Sequence, residues 1–251
     1  MQKITISASS LTGLVREHNE DALLVCRQVV RDSELNTSAF LSPEDRYVVA
    51  VCDGLGGQNA GEVASMDAAM QLAHRVATLR PGQPFARVQQ LLHEWIKEEH
   101  AYLMALGEED PSMSGMGTTL VGLLFYEGHV CWMNCGDSRL YRFREGILRQ
   151  LSSDHSLYSI THREEDQHVI TNCLGGGADE AFLDVTDITG EVHEGDLFLL
   201  CSDGLTDMLT DEEIEQVLAT TPEANALTQA AVEHGGRDNV SVCLLRIDSE
   251  K

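Results

Sequence analysis

The sequence predicts an α+β fold in which antiparallel sheet is layered with helices, and three observations carry that expectation. Strand-like runs are joined by Glu127-Gly128 and again by Glu145-Gly146, two-residue turns that connect antiparallel neighbours and leave no room for a crossover. Two long stretches, from Ala60 to Thr78 and from about 85 to 106, carry apolar residues at helical spacing. Short apolar runs before Asp53 and Asp203 read as buried strands, because nothing polar interrupts them. A doubly wound parallel nucleotide-binding sheet is therefore disfavoured.

Taken in order, Met1 to Ser7 alternates polar and apolar residues, as a half-buried strand does. Polar residues then bunch from Arg16 to Asp21, just ahead of the apolar strand from Ala22 to Cys26. Residues 31–45 are polar with one proline and are expected to form a loop. Tyr47 to Cys52 is a strand that ends in Asp53-Gly54-Leu55-Gly56-Gly57. In the first helix Val63, Met66, Ala69, Met70 and Ala73 recur on one face. Pro81 and Pro84 break it from the second, whose Val88, Leu91, Leu92, Trp95 and Ile96 read as a core face. A loop covers 107–118. Four strands follow, from Leu120 to Tyr126, His129 to Asn134, Arg139 to Arg144 and Ile147 to Leu151. The polar stretch from 153 to 180 is expected to be part short helix and part mobile loop. Leu183 to Ile188 reads as an edge strand, and Asp196 to Cys201 as a buried one ending in Ser202-Asp203-Gly204. Two helices, from Asp211 to Ala219 and from Pro222 to His234, precede the last strand, from Val240 to Ile247.

With 251 residues and no linker, repeat or low-complexity run, one domain spanning 1–251 is expected. The 17 basic against 41 acidic residues give a formal charge of −24, which excludes nucleic acid and anionic membrane as natural partners, since both need a basic face. No apolar run approaches the ~20 residues of a membrane span, and the N-terminus lacks the apolar core of a signal peptide. Seven dispersed cysteines, most within apolar runs, read as reduced core thiols of a cytoplasmic protein. Cys131 and Cys135 fall on one face of a strand, which is poor zinc-knuckle geometry.

Chemistry gathers at strand ends. Asp53 and Asp203 each close a buried strand. Arg237-Asp238-Asn239 opens another, Gly136-Asp137-Ser138-Arg139 sits between two, and Glu20-Asp21 precedes a fifth. Carboxylates collected in this way suit hard, oxygen-loving cations such as Mg²⁺ or Mn²⁺. Two ions about 3.5–4 Å apart can acidify a shared water and clamp a displacement at phosphorus, and Arg16 could fork two phosphate oxygens. Five independent polar turns would look the same, so composition does not decide between a site and its absence.

Order and spacing add more. Arg16-x-x-Asn19-Glu20-Asp21, Asp53-Gly54-x-Gly56-Gly57, Gly117-Thr118-Thr119, Gly136-Asp137-Ser138-Arg139-x-Tyr141, Ser202-Asp203-Gly204-Leu205 and Asp238-Asn239 together resemble the metal-dependent serine/threonine protein phosphatases of type 2C, in bacterial form. The resemblance implies a four-layer α-β-β-α sandwich, two packed antiparallel sheets flanked by helices. It implies that Asp53 bridges two catalytic Mn²⁺ or Mg²⁺ ions, with the Gly54 carbonyl on one of them. Asp203 and Asp238 would complete the first ion, and Glu20 and Asp21 would serve the second. Asp137 would share a third with Asp203, and Arg16 would bind phosphate. The implied reaction is direct attack of a metal-bridged water on phosphoserine or phosphothreonine, without a phospho-enzyme. No cysteine is followed six residues later by arginine, so a cysteine-nucleophile phosphatase has no candidate.

Two departures from the family pattern stand out. Position 55 is leucine, where many eukaryotic members carry a histidine proposed to protonate the leaving group. The flap-like stretch after Asp154-His155-Ser156 is short and rich in histidine; His155, His162 and His168 are expected to be loop residues rather than a metal cluster. The expected partners are phosphorylated proteins, among them a serine/threonine kinase or its substrates, and the expected state is a monomer. Two rivals are a phosphoprotein-binding module that keeps the fold, which the intact set Asp53, Asp203 and Asp238 argues against, and a metal-dependent hydrolase of small phosphoesters, which the sequence does not exclude.

Overall fold

In the computed structural model, residues 1–56 and 60–248 are described; Gly57, the last glycine of the motif after Asp53, lies outside them. The chain opens with β1 (Gln2–Leu11) and continues through β2 (Ala22–Val25), β3 (Gln28–Val30), β4 (Ser33–Leu41), β5 (Arg46–Cys52) and the two-residue β6 (Gly54–Leu55). Two long helices follow, α1 (Ala60–Thr78) and α2 (Phe85–Glu109). Next come β7 (Gly117–Thr118), β8 (Leu120–Tyr126), β9 (His129–Cys135), β10 (Arg139–Arg144) and β11 (Ile147–Gln150). A single turn, α3 (Tyr158–Thr161), precedes β12 (Leu174–Gly175) and β13 (Asp184–Asp187). The chain ends with β14 (Leu197–Cys201), α4 (Asp203–Thr206), α5 (Asp211–Thr220), α6 (Ala224–Glu233) and β15 (Val240–Ile247).

Two six-stranded antiparallel sheets form the centre, in the orders β11-β10-β14-β15-β1-β4 and β13-β9-β8-β5-β2-β3, beside a small sheet β12-β7-β6. Successive side chains of a strand point to opposite faces, and here both faces are covered. Leu23, Val25, Val49 and Val51 meet Phe198, Leu200, Cys243 and Leu245 between the sheets. Leu24, Val48, Ala50 and Cys52 face α1 and α2. On the far side, Leu199, Cys201, Val242 and Leu244 pack under α5 and α6. The result is the four-layer α-β-β-α sandwich. Double burial explains why antiparallel strands read as unbroken apolar runs, a pattern more usual in parallel sheets.

The hairpin expectations hold. Glu127 and Gly128 have φ of 47° and 86°, and Glu145 and Gly146 have 53° and 82°, the paired left-handed conformations of a type I′ turn. α5 starts from a capping box, with Thr210 accepting from Glu213 N–H and the Glu213 carboxylate accepting from Thr210 N–H.

Two expectations need correction. Residues 33–41 are not loop but the edge strand β4, paired along its length with β1. Only one face of β4 is covered, by Leu35 and Ala39, so its Ser, Thr and Asn residues hide the alternation. In α1, Val63 and Met70 are exposed, and the buried face is Ala60, Gly61, Ala64, Ser65, Ala68, Ala69, Leu72 and Ala73. Small side chains let this helix lie close on the sheet, so volume rather than hydrophobicity chose its face. The stretch from 153 to 180 contains the expected short helix, α3, together with a 3₁₀ turn at Glu164–Asp166 and β12. Among the described residues, no helix is long and apolar enough to cross a membrane.

Candidate metal centre

The site lies where strands from both central sheets end. β5 delivers Asp53, whose backbone is fixed from two sides. Its N–H donates to Thr119 Oγ1 at 3.0 Å, and its carbonyl accepts from Thr119 N–H and Thr118 Oγ1, both at 2.9 Å. The Gly117-Thr118-Thr119 run is thus the brace of the first aspartate. Gly54 follows because nothing larger fits: an added Cβ would lie 2.3 Å from the Gly61 carbonyl oxygen and 2.5 Å from that of Glu20.

β14 delivers Asp203, which opens α4 instead of a turn. The preceding Ser202 hydroxyl donates to Asp21 Oδ2 at 2.8 Å and accepts from Ser241 N–H at 3.0 Å. One serine therefore joins the ends of β14 and β15 to the start of β2. Two asparagines shape the acidic loop before β2. Asn239 accepts from Glu20 N–H at 2.8 Å and donates to the carbonyls of Thr12 and His18, each at 2.9 Å. Asn19 accepts from Asp21 N–H at 3.0 Å. The motif asparagines hold the backbone, while the neighbouring carboxylates take other partners: Asp21 accepts from Ser202, and Asp238 from Arg16 and the Asn239 N–H.

Crowding and burial act on those carboxylates together. Burial first, then the charges of Asp203, Asp21 and Asp137, push Asp53 well above the usual carboxylate range. Asp21 rises to about 7, mainly by burial, against the bonds from Ser202 and Ser241 that favour its charge. Asp137 rises to about 7 by burial and then Asp203. Asp203 rises to about 6 by burial, Asp207 and Asp238. Burial likewise raises Glu20, opposed by Arg16. Such a group of like charges needs either protons or a cation. The donors suit a hard divalent ion, being carboxylates and one backbone carbonyl without a thiolate. Asp21 Oδ1 is also buried without a hydrogen-bond partner, the condition expected of an atom reserved for a ligand.

All eight residues read from the sequence gather here. Arg16 places Nη2 2.5 Å from Asp238 Oδ2 and remains half exposed, with Glu20 and Asp53 also in its field. Two neighbours were not legible. Asp207 and His168 join Asp203 in a group whose ligand atoms all lie within 4.8 Å of one another. Asp207 sits one turn after Asp203, a spacing visible only once Asp-Gly is read as a helix start. His168 arrives on the folded-back segment 156–182, with no local signal. The three histidines do not cluster: His155 is buried and bonded to Asp184, His162 packs edge-on to Tyr158, and only His168 reaches the acidic group. A cavity of about 260 Å³ adjoins Asp203 and Asp207, walled by Asp137, Arg139, Asp154 and Tyr158.

Comparison with known proteins points to one family. The family profile described as Protein phosphatase 2C matches residues 30–238. The serine/threonine phosphatase stp of Listeria monocytogenes is 30% identical over 251 residues, covering 94% of this chain and 93% of that protein. Mycobacterium tuberculosis PstP is 32% identical over 260 residues, covering 96% of this chain and 45% of PstP. The catalytic domain of PstP, solved with two manganese ions, superposes with a TM-score of 0.75 at 30% identity over 99% of this chain and all of that one. The S. agalactiae serine/threonine phosphatase superposes at 0.80 with 26% identity, over 98% of this chain and all of the other.

Proposed function

The chain belongs to the protein phosphatase 2C family and is a serine/threonine phosphatase, and from that premise we propose that it hydrolyses phosphoserine and phosphothreonine in proteins by direct attack of water, without a phospho-enzyme. The observation that carries the reading is the convergence of Asp53, Asp203, Asp21, Asp137 and Asp238, with one buried Asp21 oxygen unpartnered. When bound, two Mn²⁺ or Mg²⁺ ions would acidify a water and neutralise charge at phosphorus.

The chain's own residues do the rest. Asp53, with Asp203 and Asp238, would hold one ion. Glu20 and Asp21, again with Asp53, would hold the second, and the Gly54 carbonyl would serve one of the two. Asp137, with Asp203, would hold a third. Arg16, beside Asp238, orients the phosphate by forking its oxygens. Leu55 carries no proton to give, so the leaving alkoxide takes one from water. We take residues 1–251 as one catalytic domain, because the three apolar layers stack without interruption. The partners are phosphorylated proteins, including a serine/threonine kinase or its substrates, met by a cytoplasmic monomer.

The test is hydrolysis of a phosphothreonine peptide with Mn²⁺ and with chelator, wild type beside Asp203→Asn, and p-nitrophenyl phosphate as the small-ester control. Peptide turnover that needs both Mn²⁺ and Asp203 is expected. A folded, metal-loaded protein that leaves the peptide intact would overturn the reading.

A further inference from the structure

The loop that carries Asp137 is gripped on both flanks by two consecutive residues, Asp154 and His155. Arg139 donates Nε and Nη2 to Asp154 Oδ2 at 2.9 and 2.7 Å. On the other flank, Gly136 and His155 exchange a pair of bonds. The His155 N–H donates to the Gly136 carbonyl at 2.9 Å, and the Gly136 N–H donates to His155 Nδ1 at 3.1 Å.

The hydrogen bonds around the ring assign its tautomer. Asn172 Nδ2 also aims at Nδ1, at 2.8 Å. The orientation of that amide is set by Phe182, which accepts from Nδ2 at 2.9 Å and donates its N–H to Oδ1 at 3.1 Å. Two N–H donors on Nδ1 require it to carry its lone pair, so the ring proton sits on Nε2 and is donated to Asp184 Oδ2 at 3.0 Å. The ring is buried, with Phe182 against it at 4.7 Å between centroids.

What the ring holds matters for the metal centre. Gly136 has φ of +122° and lies so close to Thr119 that a Cβ would sit 2.6 Å from that of Thr119. Thr119 in turn braces Asp53 and bonds Ser138 at 2.7 Å. The backbone on which His155 pulls therefore links the Asp137 loop to the Asp53 strand end.

We propose that His155 is a positioning residue of the metal centre: by holding the Gly136 N–H on Nδ1, it sets where Asp137 presents its carboxylate. The inference rests on the reading of these aspartates as Mn²⁺ or Mg²⁺ ligands. A histidine that merely filled the core would contribute to stability without this dependence on one ring nitrogen.

The experiment is calorimetric titration of Mn²⁺ into the full chain, with melting temperatures in chelator recorded alongside. His155→Asn keeps an acceptor near the place of Nδ1, whereas His155→Gln reaches only the place of Nε2. The weakest Mn²⁺-binding step is expected to weaken about tenfold in His155→Gln, the low end for residues that orient metal ligands, and to stay close to wild type in His155→Asn. Asn172→Asp supplies a variant of unchanged shape. Its carboxylate draws a proton onto Nδ1, which can then no longer accept from Gly136, and the same weakening is expected. If both His155 variants lose affinity equally, or if Asn172→Asp binds as wild type does, the inference is overturned. A wild type that binds no Mn²⁺ overturns the metal-centre reading itself, which separates the two failures.

Discussion

Two strands of this protein end in Asp-Gly, and the chain behaves differently after each. Beyond Asp53 it continues as β6, held by the small sheet with β7 and β12. Beyond Asp203 it winds into the single turn of α4, and the Asp203 carbonyl accepts from Asp207 N–H at 2.8 Å. The brace of Asp53 comes from distant hydroxyl and amide groups of Thr118 and Thr119; that of Asp203 comes from its own next turn. The glycines share one reason. A Cβ on Gly54 would lie 2.3 Å from the Gly61 oxygen, and one on Gly204 would lie 1.9 Å from the Asn239 oxygen. In both places glycine lets a second backbone press against the strand end, and the aspartate is thereby carried among other carboxylates. The dipeptide signals close approach here, and only incidentally a turn.

The largest expected effect treats the two aspartates as equals. Asp53→Asn and Asp203→Asn should each lower kcat/KM on a phosphothreonine peptide by about a thousandfold or more, roughly 4 kcal/mol of transition-state stabilisation. Either variant retaining near-wild-type turnover would break the equivalence. Next come the glycines. Gly54→Ala and Gly204→Ala should each cost about 1–3 kcal/mol by overpacking, read as a lower urea midpoint, and an unchanged midpoint would show that the neighbouring backbone can yield.

A third prediction concerns pH. Asp21 and Asp137 rise to about 7 and Asp203 to about 6, whereas in the unfolded chain such groups lose their protons near pH 4. The folded, metal-free protein therefore holds more protons between those limits. Its stability should fall as pH rises from about 4 through 7. In chelator the melting temperature should drop from pH 5 to pH 8, and the increase caused by Mn²⁺ should be larger at pH 8. An equal increase at both would contradict the crowding. The smallest effect sharpens the difference between the strand ends. Thr119→Val keeps the shape but leaves the Asp53 N–H without an acceptor, for about 1 kcal/mol. It should weaken Mn²⁺ binding, an effect read by titration, with no counterpart on the α4 side.

Much of this was legible because the site sits on strands buried on both faces. β5 and β14 announce themselves as apolar runs, and their terminal aspartates stand out against them. β4 was hidden because one covered face leaves too few apolar residues to betray a period. The buried face of α1 was misread because a helix that must lie close to Gly54 selects Ala and Gly over larger residues. Asp207 was masked by reading Asp203-Gly204 as a turn. His155 and His168 owe their places to a long segment folding back on the site, which no local pattern encodes. The three histidines are loop residues that form no cluster of their own, as expected, yet His155 is a buried joint and His168 reaches the acidic group.

The central claim is that the two Asp-Gly strand ends build one cation site. Mn²⁺ titration of wild type, Asp53→Asn and Asp203→Asn at pH 7.5 tests it most directly. Wild type should bind Mn²⁺, and each substitution alone should abolish or severely weaken its tightest binding. Variants that titrate like wild type would mean that Asp53 and Asp203 merely lie side by side, and the account of the site would fail.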